Sequence, residues 1–128
     1  YTGRAIIIWI NPVNIILNIA VKIAVFKGFL NLIYTPKEIE YCESTRNAKY
    51  CHYAGRFASK EAIFKTVSAL LPDKFGISWK DVQIVNDENG NPKIEFLKVQ
   101  FEQIKSIDIS ISHCKEYAVA NVTALVDE

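Results

Sequence analysis

Residues 55–65 place on one predicted helix the side chain types that phosphoryl transfer needs. Glu61 and Lys65 are four residues apart, so a helix puts the carboxylate and the ammonium on the same face. A carboxylate can bind a hard cation and a lysine can neutralise phosphate oxygens, which is the minimum set of groups for that chemistry. The same spacing is typical of an ordinary surface ion pair, and spacing alone favours that simpler interpretation.

One long helix is predicted to carry this segment, from about residue 48 to residue 69, ending before Pro72. Ser44 or Thr45 is expected to cap it, and Gly55 is expected to permit close packing. Its buried stripe is predicted to consist of Cys51, Ala54, Ala58, Ala62 and Ala69.

The remaining elements follow from local patterns. Thr35 and Glu38 form a capping box with Pro36 at the first helical position, which predicts a short helix through Cys42. Apolar residues alternate with polar ones around residues 82–84, 94–96 and 107–111, with a hairpin turn at Asn89-Gly90, and a last strand is predicted through residues 119–123. The fold class is therefore α+β, with a small antiparallel sheet packed on helices.

The first 36 residues contain no aspartate or glutamate. They predict a buried strand over residues 5–10, a turn at Asn11-Pro12 and an amphipathic helix over residues 15–26. Two alternatives stay open, a membrane-spanning helix and a targeting segment, although the asparagines and Pro12 disfavour the former.

Composition narrows the class of protein. The chain has 128 residues, half of them apolar, which suits one domain with a single core spanning 1–128. The net charge of +1 gives no electrostatic case for binding nucleic acid or an anionic membrane. Three cysteines without a short-range pair favour reduced thiols, in the cytoplasm or an organelle interior. His52 and His113 each neighbour a cysteine, but without a C-x-x-C spacing zinc is not expected, and His52 is predicted to be a solvated helix residue.

Three motifs in this chain resemble those of the holo-acyl-carrier-protein synthase family of 4′-phosphopantetheinyl transferases. The first is Gly-Arg-Phe-Ala-x-Lys-Glu-Ala-x-x-Lys at residues 55–65. The second is an acidic Asn-Asp turn ending in Asn91-Pro92, and the third is Ser-x-Ser-His at 110–113 followed by Tyr-Ala-x-Ala at 117–120. Their order and spacing match over residues 35–126. The chain departs from the family at Asn11, which replaces an aspartate, at Leu17, which replaces an arginine, and after Lys65, where a Gly-Thr-Gly loop is missing.

The resemblance implies an enzyme that transfers 4′-phosphopantetheine from coenzyme A to a serine of apo acyl carrier protein. It implies release of 3′,5′-ADP, magnesium dependence, a place in fatty acid biosynthesis and a homotrimer with sites between subunits. An alternative of the same fold is a catalytically weak or inactive module that binds coenzyme A or the carrier protein.

The motif match also implies roles for individual residues. Mg²⁺ would be held by Glu61 and Asn11, and catalysis would involve Glu61, Lys65 and His113. For Arg56, a grip on the 3′-phosphate or on the carrier protein competes with a helix-surface salt bridge. The residues implied to bind coenzyme A are Arg56, Lys65, Gly90, Asn91, Pro92, Ser112 and His113.

Overall fold

The computed structural model describes residues 4–14, 28–45, 47–68, 70, 76–98 and 100–127, the first range by its backbone. Three α-helices are described: α1 (Phe29–Ile33), α2 (Pro36–Glu43) and α3 (Lys49–Ser68). A short 3-10 helix covers Trp79–Asp81. The strands are β1 (Arg4–Asn14), β2 (Val82–Asn86), β3 (Pro92–Phe96), β4 (Ile104–His113) and β5 (Tyr117–Asp127). The α+β fold class is confirmed.

An antiparallel sheet with the order β1-β5-β4 supports the long helix α3. In the middle strand β5, every second residue from Ala118 to Val126 is buried. Two alanines of this strand, Ala118 and Ala120, pack with Ala54 and Ala58 of α3. Small side chains on both surfaces bring the helix close to the sheet, as the predicted alanine stripe requires.

Strands β2 and β3 form the predicted hairpin, with Ile84 opposite Ile94. Its connection covers residues 87–91 and is longer than the two-residue turn expected at Asn89-Gly90. The Asp87 carboxylate accepts the N–H groups of Asn89 and Asn91, both at 2.9 Å. Gly90 has φ +83°, a left-handed conformation that glycine adopts without strain. These contacts hold the pKa of Asp87 below its usual value, chiefly through the Asn91 N–H.

Helix α2 begins with the predicted capping box. The Thr35 hydroxyl accepts the Glu38 N–H at 3.4 Å, and the Glu38 carboxylate accepts the Thr35 N–H at 2.8 Å. The Thr35 hydroxyl also donates to Gln83 at 2.6 Å, which connects this helix end to β2.

The turn predicted at Asn11-Pro12 is wrong. Strand β1 continues through both residues to Asn14 and pairs with β5 along its whole length. In the described sheet β1 is an edge strand, where a proline is tolerated because alternate N–H groups point away from the partner strand. The helix predicted over residues 15–26 and Leu17 lie outside the described residues.

Helix α3 begins and ends within one residue of its predicted bounds. Ala54, Ala58 and Ala62 are fully buried, Cys51 is half-buried, and Ala69 lies outside the described residues. Among the helices that the structure describes, none has the length and apolar character needed to cross a membrane.

Candidate active site

A cleft of about 130 Å³ opens beside α3, where the end of β4 and the β2–β3 hairpin meet α2. Because α3 packs on β5, one of its flanks is left to face these three elements. The cleft is lined by Tyr41, Cys51, His52, Gly55, Arg56, Asn86, Gly90, Pro92, Ile111 and His113.

Arg56 supplies the permanent positive charge of this cleft. Its side chain is only 4% exposed, with the guanidinium 4.3 Å from the centre of the Tyr41 ring. One terminal N–H donates to the Asn86 side chain oxygen at 3.1 Å, whereas the buried Nε has no hydrogen-bond partner in the described part of the chain. The helix-surface salt bridge considered for Arg56 is therefore wrong. A buried donor without an acceptor is costly, so this cleft favours an anionic ligand that accepts from Nε.

His52 lies in the same cleft, and the prediction that it is solvated is wrong. Its half-buried ring stacks on Tyr41 at 5.0 Å between centroids and meets the His113 ring edge to face at 5.5 Å. Burial lowers the pKa of His52, and electrostatic repulsion of its protonated form by the nearby His113 and Arg56 lowers it further. Helical periodicity missed this residue because its neighbours come from α2 and β4.

Gly55 allows β4 to approach α3 at the floor of the cleft. A Cβ atom at this position would lie 2.9 Å from Cγ2 of Ile111, closer than two carbon atoms pack. The Cys51 thiol donates to the Cys114 carbonyl at 3.6 Å along the same contact. The close packing predicted for Gly55 is confirmed.

The charge and the size of the cleft indicate what it can hold. Its described lining includes one arginine and two histidines and no carboxylate. Its volume is well below the roughly 300–1,000 Å³ of pockets that enclose a drug-sized ligand. The cleft therefore suits a phosphate group and part of a nucleotide, with the rest of a large ligand lying outside it.

The structure gathers four of the predicted ligand-binding residues into this cleft and leaves two beside it. Arg56, Gly90, Pro92 and His113 line it. Asn91 is exposed in the hairpin connection, where its carbonyl accepts the Asp87 N–H at 2.9 Å. Ser112 lies, by strand alternation, on the opposite face of β4, and the seventh predicted residue, Lys65, lies further along α3.

Glu61 and Lys65 lie elsewhere on α3. Glu61 is five positions after Arg56, which corresponds to a rotation of about 140° around the helix axis. Glu61 is half-buried and Lys65 is exposed. The carboxylate and ammonium expected to handle the pyrophosphate therefore leave the helix on a different side from the cleft.

This second side of α3 suits the magnesium ion that the motif resemblance implies. Gly55 faces Ile111 on β4, Ala58 packs against β5, and Glu61 lies about 60° further around the helix in the same direction. In the strand order β1-β5-β4 this is the side of β1. On β1, the backbone of Asn11 lies opposite Ala120. Among the described residues no three His, Cys, Asp or Glu side chains converge as a metal cage. One carboxylate and one amide oxygen fit Mg²⁺, which binds few protein ligands and keeps substrate phosphates and waters as the others.

Comparison with known proteins identifies the family of this chain. The family model described as the 4′-phosphopantetheinyl transferase superfamily matches residues 17–122. The chain belongs to this superfamily. Two holo-[acyl-carrier-protein] synthases are similar: that of Geobacter sp. strain M21 is 39% identical over 115 residues, 80% of this chain and 90% of that protein. That of Protochlamydia amoebophila is 44% identical over 94 residues, 72% of this chain and 75% of that protein.

Solved structures give the same result. The holo-[acyl-carrier-protein] synthase of Helicobacter pylori in complex with coenzyme A matches with a TM-score of 0.77 and 30% identity. The match covers 92% of this chain and 99% of that one. The predicted family is thus confirmed, and so is the prediction that this member of the phosphopantetheinyl transferases is an enzyme.

Proposed function

We propose that this protein transfers the 4′-phosphopantetheine group of coenzyme A to a serine of an apo acyl carrier protein, in fatty acid biosynthesis. The observation that carries the proposal is the buried guanidinium of Arg56, whose Nε lacks a partner among the described residues. This guanidinium and His113 lie in a cleft that is large enough for a phosphate group. The chain also belongs to the phosphopantetheinyl transferase superfamily. A relative of known structure is complexed with coenzyme A, which carries a 3′-phosphate of the required kind.

In this reaction the serine hydroxyl attacks the phosphorus that bears the pantetheine. The bond from that phosphorus to the bridging pyrophosphate oxygen breaks, and 3′,5′-ADP leaves with that oxygen and its electron pair. Arg56 and His113 hold the 3′-phosphate, and Gly90 and Pro92 form the adjoining wall for the nucleotide. Lys65 is a point cation for the pyrophosphate oxygens. Glu61 and Asn11 would hold Mg²⁺, and a bound Mg²⁺ would supply positive charge to those oxygens. The serine proton passes to solvent water, because His113 is engaged by the 3′-phosphate in this arrangement.

The two groups of residues lie on different sides of α3, so a complete site needs a second copy of the chain. We propose a homotrimer in which the cleft of one subunit faces Glu61 and Lys65 of its neighbour. A head-to-tail contact of this kind closes into a ring and repeats the same composite site at each interface. It also explains why the cleft of one chain is too small for the whole of coenzyme A.

Mass spectrometry of an apo acyl carrier protein tests the transfer. Incubation with coenzyme A, Mg²⁺ and this protein is expected to add the phosphopantetheine mass to the carrier, and omission of Mg²⁺ is expected to abolish the gain. Asn11 favours a second candidate, a module that binds coenzyme A without turnover, because it lacks the charge of an acidic metal ligand. Binding of coenzyme A without any gain in carrier mass would support that candidate.

Subunit mixing tests the composite site. A trimer made only of the Arg56→Lys variant, or only of the Glu61→Gln variant, is expected to have reduced activity. If the variants are unfolded together, mixed equally and refolded, about one site in four combines an intact cleft with an intact Glu61. Recovery of activity towards that level supports the shared site, and no recovery in verified mixed trimers contradicts it.

We further propose that the enzyme acts in the cytoplasm or in an organelle interior. The three cysteines Cys42, Cys51 and Cys114 are free thiols in the structure, which suits a reducing compartment.

A further inference from the structure

His52 lies between two groups of the phosphate-binding cleft, although the roles proposed above do not involve it. Its ring meets His113 on one side, and its Nδ1 is 2.8 Å from the Thr45 hydroxyl on the other. Tyr41 stacks on one face of the ring, and Arg56 is close enough for its charge to lower the pKa of His52. These contacts hold the ring in one orientation along the wall of the cleft.

The Thr45 hydroxyl determines which ring nitrogen of neutral His52 carries the proton. This hydroxyl donates its single proton to the Cys42 carbonyl at 2.9 Å. Its oxygen must then accept from His52, so Nδ1 bears the proton in the 2.8 Å contact. Neutral His52 consequently has a lone pair on Nε2.

The surroundings of His52 keep the ring neutral while the cleft is empty. Among the described residues, the titratable and charged groups that face it are Tyr41 from α2, Cys51 and Arg56 from α3, and His113 from β4. None of them is a carboxylate. A phosphate that enters beside Arg56 reverses this balance, because its negative charge favours protonated histidine. A lone pair on Nε2 repels phosphate oxygens, whereas an N–H at the same atom donates to them.

We propose that His52 is an additional phosphate-binding residue, which takes up a proton at Nε2 from solvent when the 3′-phosphate of coenzyme A enters the cleft. This inference rests on the proposed function, since it assigns the same cleft to that phosphate. It predicts that the affinity for the 3′-phosphorylated nucleotide depends on pH. Arg56 cannot supply this dependence, since its guanidinium stays charged.

Calorimetric titration of 3′,5′-ADP into the full chain measures the proton uptake directly. The titration is done at pH 7 in two buffers of different ionisation enthalpy, and 5′-AMP, which differs from 3′,5′-ADP only by the missing 3′-phosphate, is the control ligand. Wild type is expected to take up more protons with 3′,5′-ADP than with 5′-AMP. His52→Phe keeps a ring to stack on Tyr41, and it is expected to lose most of the difference. Between pH 6 and 8 the wild-type affinity should fall by up to about tenfold per pH unit for one linked proton, and the variant should show a flatter profile.

A second variant separates the two histidines. If His113→Asn abolishes the uptake and His52→Phe leaves it intact, the proton goes to His113 and the proposal is wrong. Equal uptake in wild type and His52→Phe contradicts it as well. Failure of wild type to bind 3′,5′-ADP at any pH contradicts the proposed function of the cleft, whereas binding without proton uptake contradicts only the role of His52.

The stability of the empty protein gives an independent measurement. Since the folded pKa of His52 is lowered below its unfolded value, the unfolded chain binds more protons as pH falls through the region below 6.5. Acidification in this window is therefore expected to destabilise the empty wild type more than His52→Phe. An excess of 3′,5′-ADP is expected to offset that loss in the wild type. Absence of any difference between the two proteins would contradict the neutral, half-buried state of His52.

Discussion

Glu38 and Lys60 form an ion pair with an Nζ–Oε1 distance of 2.7 Å in which neither side chain has any exposed surface. Lys60 also donates to the carbonyl oxygens of Ile33 and Trp79, both at 2.8 Å, so its three N–H groups are all used. Burial lowers the pKa of Lys60, and the Glu38 carboxylate counteracts that effect.

The Glu38 carboxylate connects this pair to two elements that line the cleft, α2 and β2. Besides Lys60, it accepts the N–H of Thr35 at the start of α2 and the N–H of Ile84 in β2, at 2.8 and 2.9 Å. The pair thereby fixes α2, which carries Tyr41, and β2, which carries Asn86, relative to α3. These two residues are the contacts of Arg56.

Substitution of Lys60 by methionine is expected to destabilise the protein by about 3–5 kcal/mol, because it leaves the Glu38 charge buried alone. The double variant Glu38→Gln/Lys60→Met is expected to lose less than Lys60→Met, since it removes that charge. Urea unfolding followed by circular dichroism measures both. Lys37→Met, at an exposed position of α2, is the control and should stay within about 0.5 kcal/mol of wild type. A Lys60→Met loss no larger than that of the control would contradict the buried pair.

Gly55→Ala is expected to weaken coenzyme A binding and to reduce stability, although alanine is the better helix former by about 1 kcal/mol. The added methyl group meets Cγ2 of Ile111, a branched side chain with little rotational freedom, and must push β4 away from α3. In the background of Ile111→Ala, which removes that atom, Gly55→Ala should no longer destabilise. A double-mutant cycle of unfolding free energies checks this, and additive effects would mean that the two residues are not in contact.

Glu61→Gln is expected to keep the fold and to lower turnover by about a hundredfold or more, on the order of 3 kcal/mol in transition-state stabilisation. The substitution removes the charge that attracts Mg²⁺ while preserving the size of the side chain. Carrier modification at limiting Mg²⁺ is the measurement, with Glu102→Gln at an exposed turn as the control. Near-normal turnover of Glu61→Gln under those conditions would show that the metal is held elsewhere.

Asn11→Asp is expected to lower the Mg²⁺ concentration needed for half-maximal activity. It restores a full negative charge on β1, at a position opposite Ala120 and on the β1 side of α3 where Glu61 emerges. A Mg²⁺ titration of the carrier-modification rate compares the two proteins. An unchanged or higher requirement would argue against Asn11 as a ligand.

Lys65 and Arg56 are expected to respond differently to removal of the 3′-phosphate. Loss of a charge-assisted contact worth about 1.5–3 kcal/mol should make Lys65→Ala bind coenzyme A and dephospho-coenzyme A more weakly by the same factor, some ten- to hundredfold. Arg56→Lys should weaken coenzyme A binding and leave dephospho-coenzyme A nearly unaffected. Calorimetry at matched salt measures all four affinities. Equal coenzyme A affinities for wild type and Lys65→Ala would show that Lys65 does not contact coenzyme A.

Local sequence patterns predicted much of this fold, because the elements they identify depend on near neighbours. The capping box at Thr35 and Glu38 formed as expected, and so did the alternation of Ile107, Ile109 and Ile111 with exposed residues. The error at Asn11-Pro12 has a different origin. Whether a proline ends a strand depends on whether the strand lies at an edge, and strand order is a property of the whole sheet.

The site was less predictable than the fold for the same reason. The motif identified Arg56 and His113, but it did not show that Tyr41 and Asn86 would surround the guanidinium. Lys60 stands directly before Glu61, and its pairing with Glu38 depends on how α2 packs against α3. Periodicity assigned His52 to a helix face, whereas its partners come from other elements.

The pairing of β1 with β5 has a consequence for biosynthesis. Arg4 pairs with Asp127 and Asn14 with Tyr117, so the partners are more than a hundred residues apart in the chain. A ribosome makes β1 long before β5, and until then the apolar segment from Ala5 to Ile10 has no described strand to pair with. Exposed β-branched segments of this kind promote aggregation, and closure of so long a loop is slow. Soluble yield should therefore depend on how soon β5 is made after β1, and on the concentration of chains in which β5 has not yet been made.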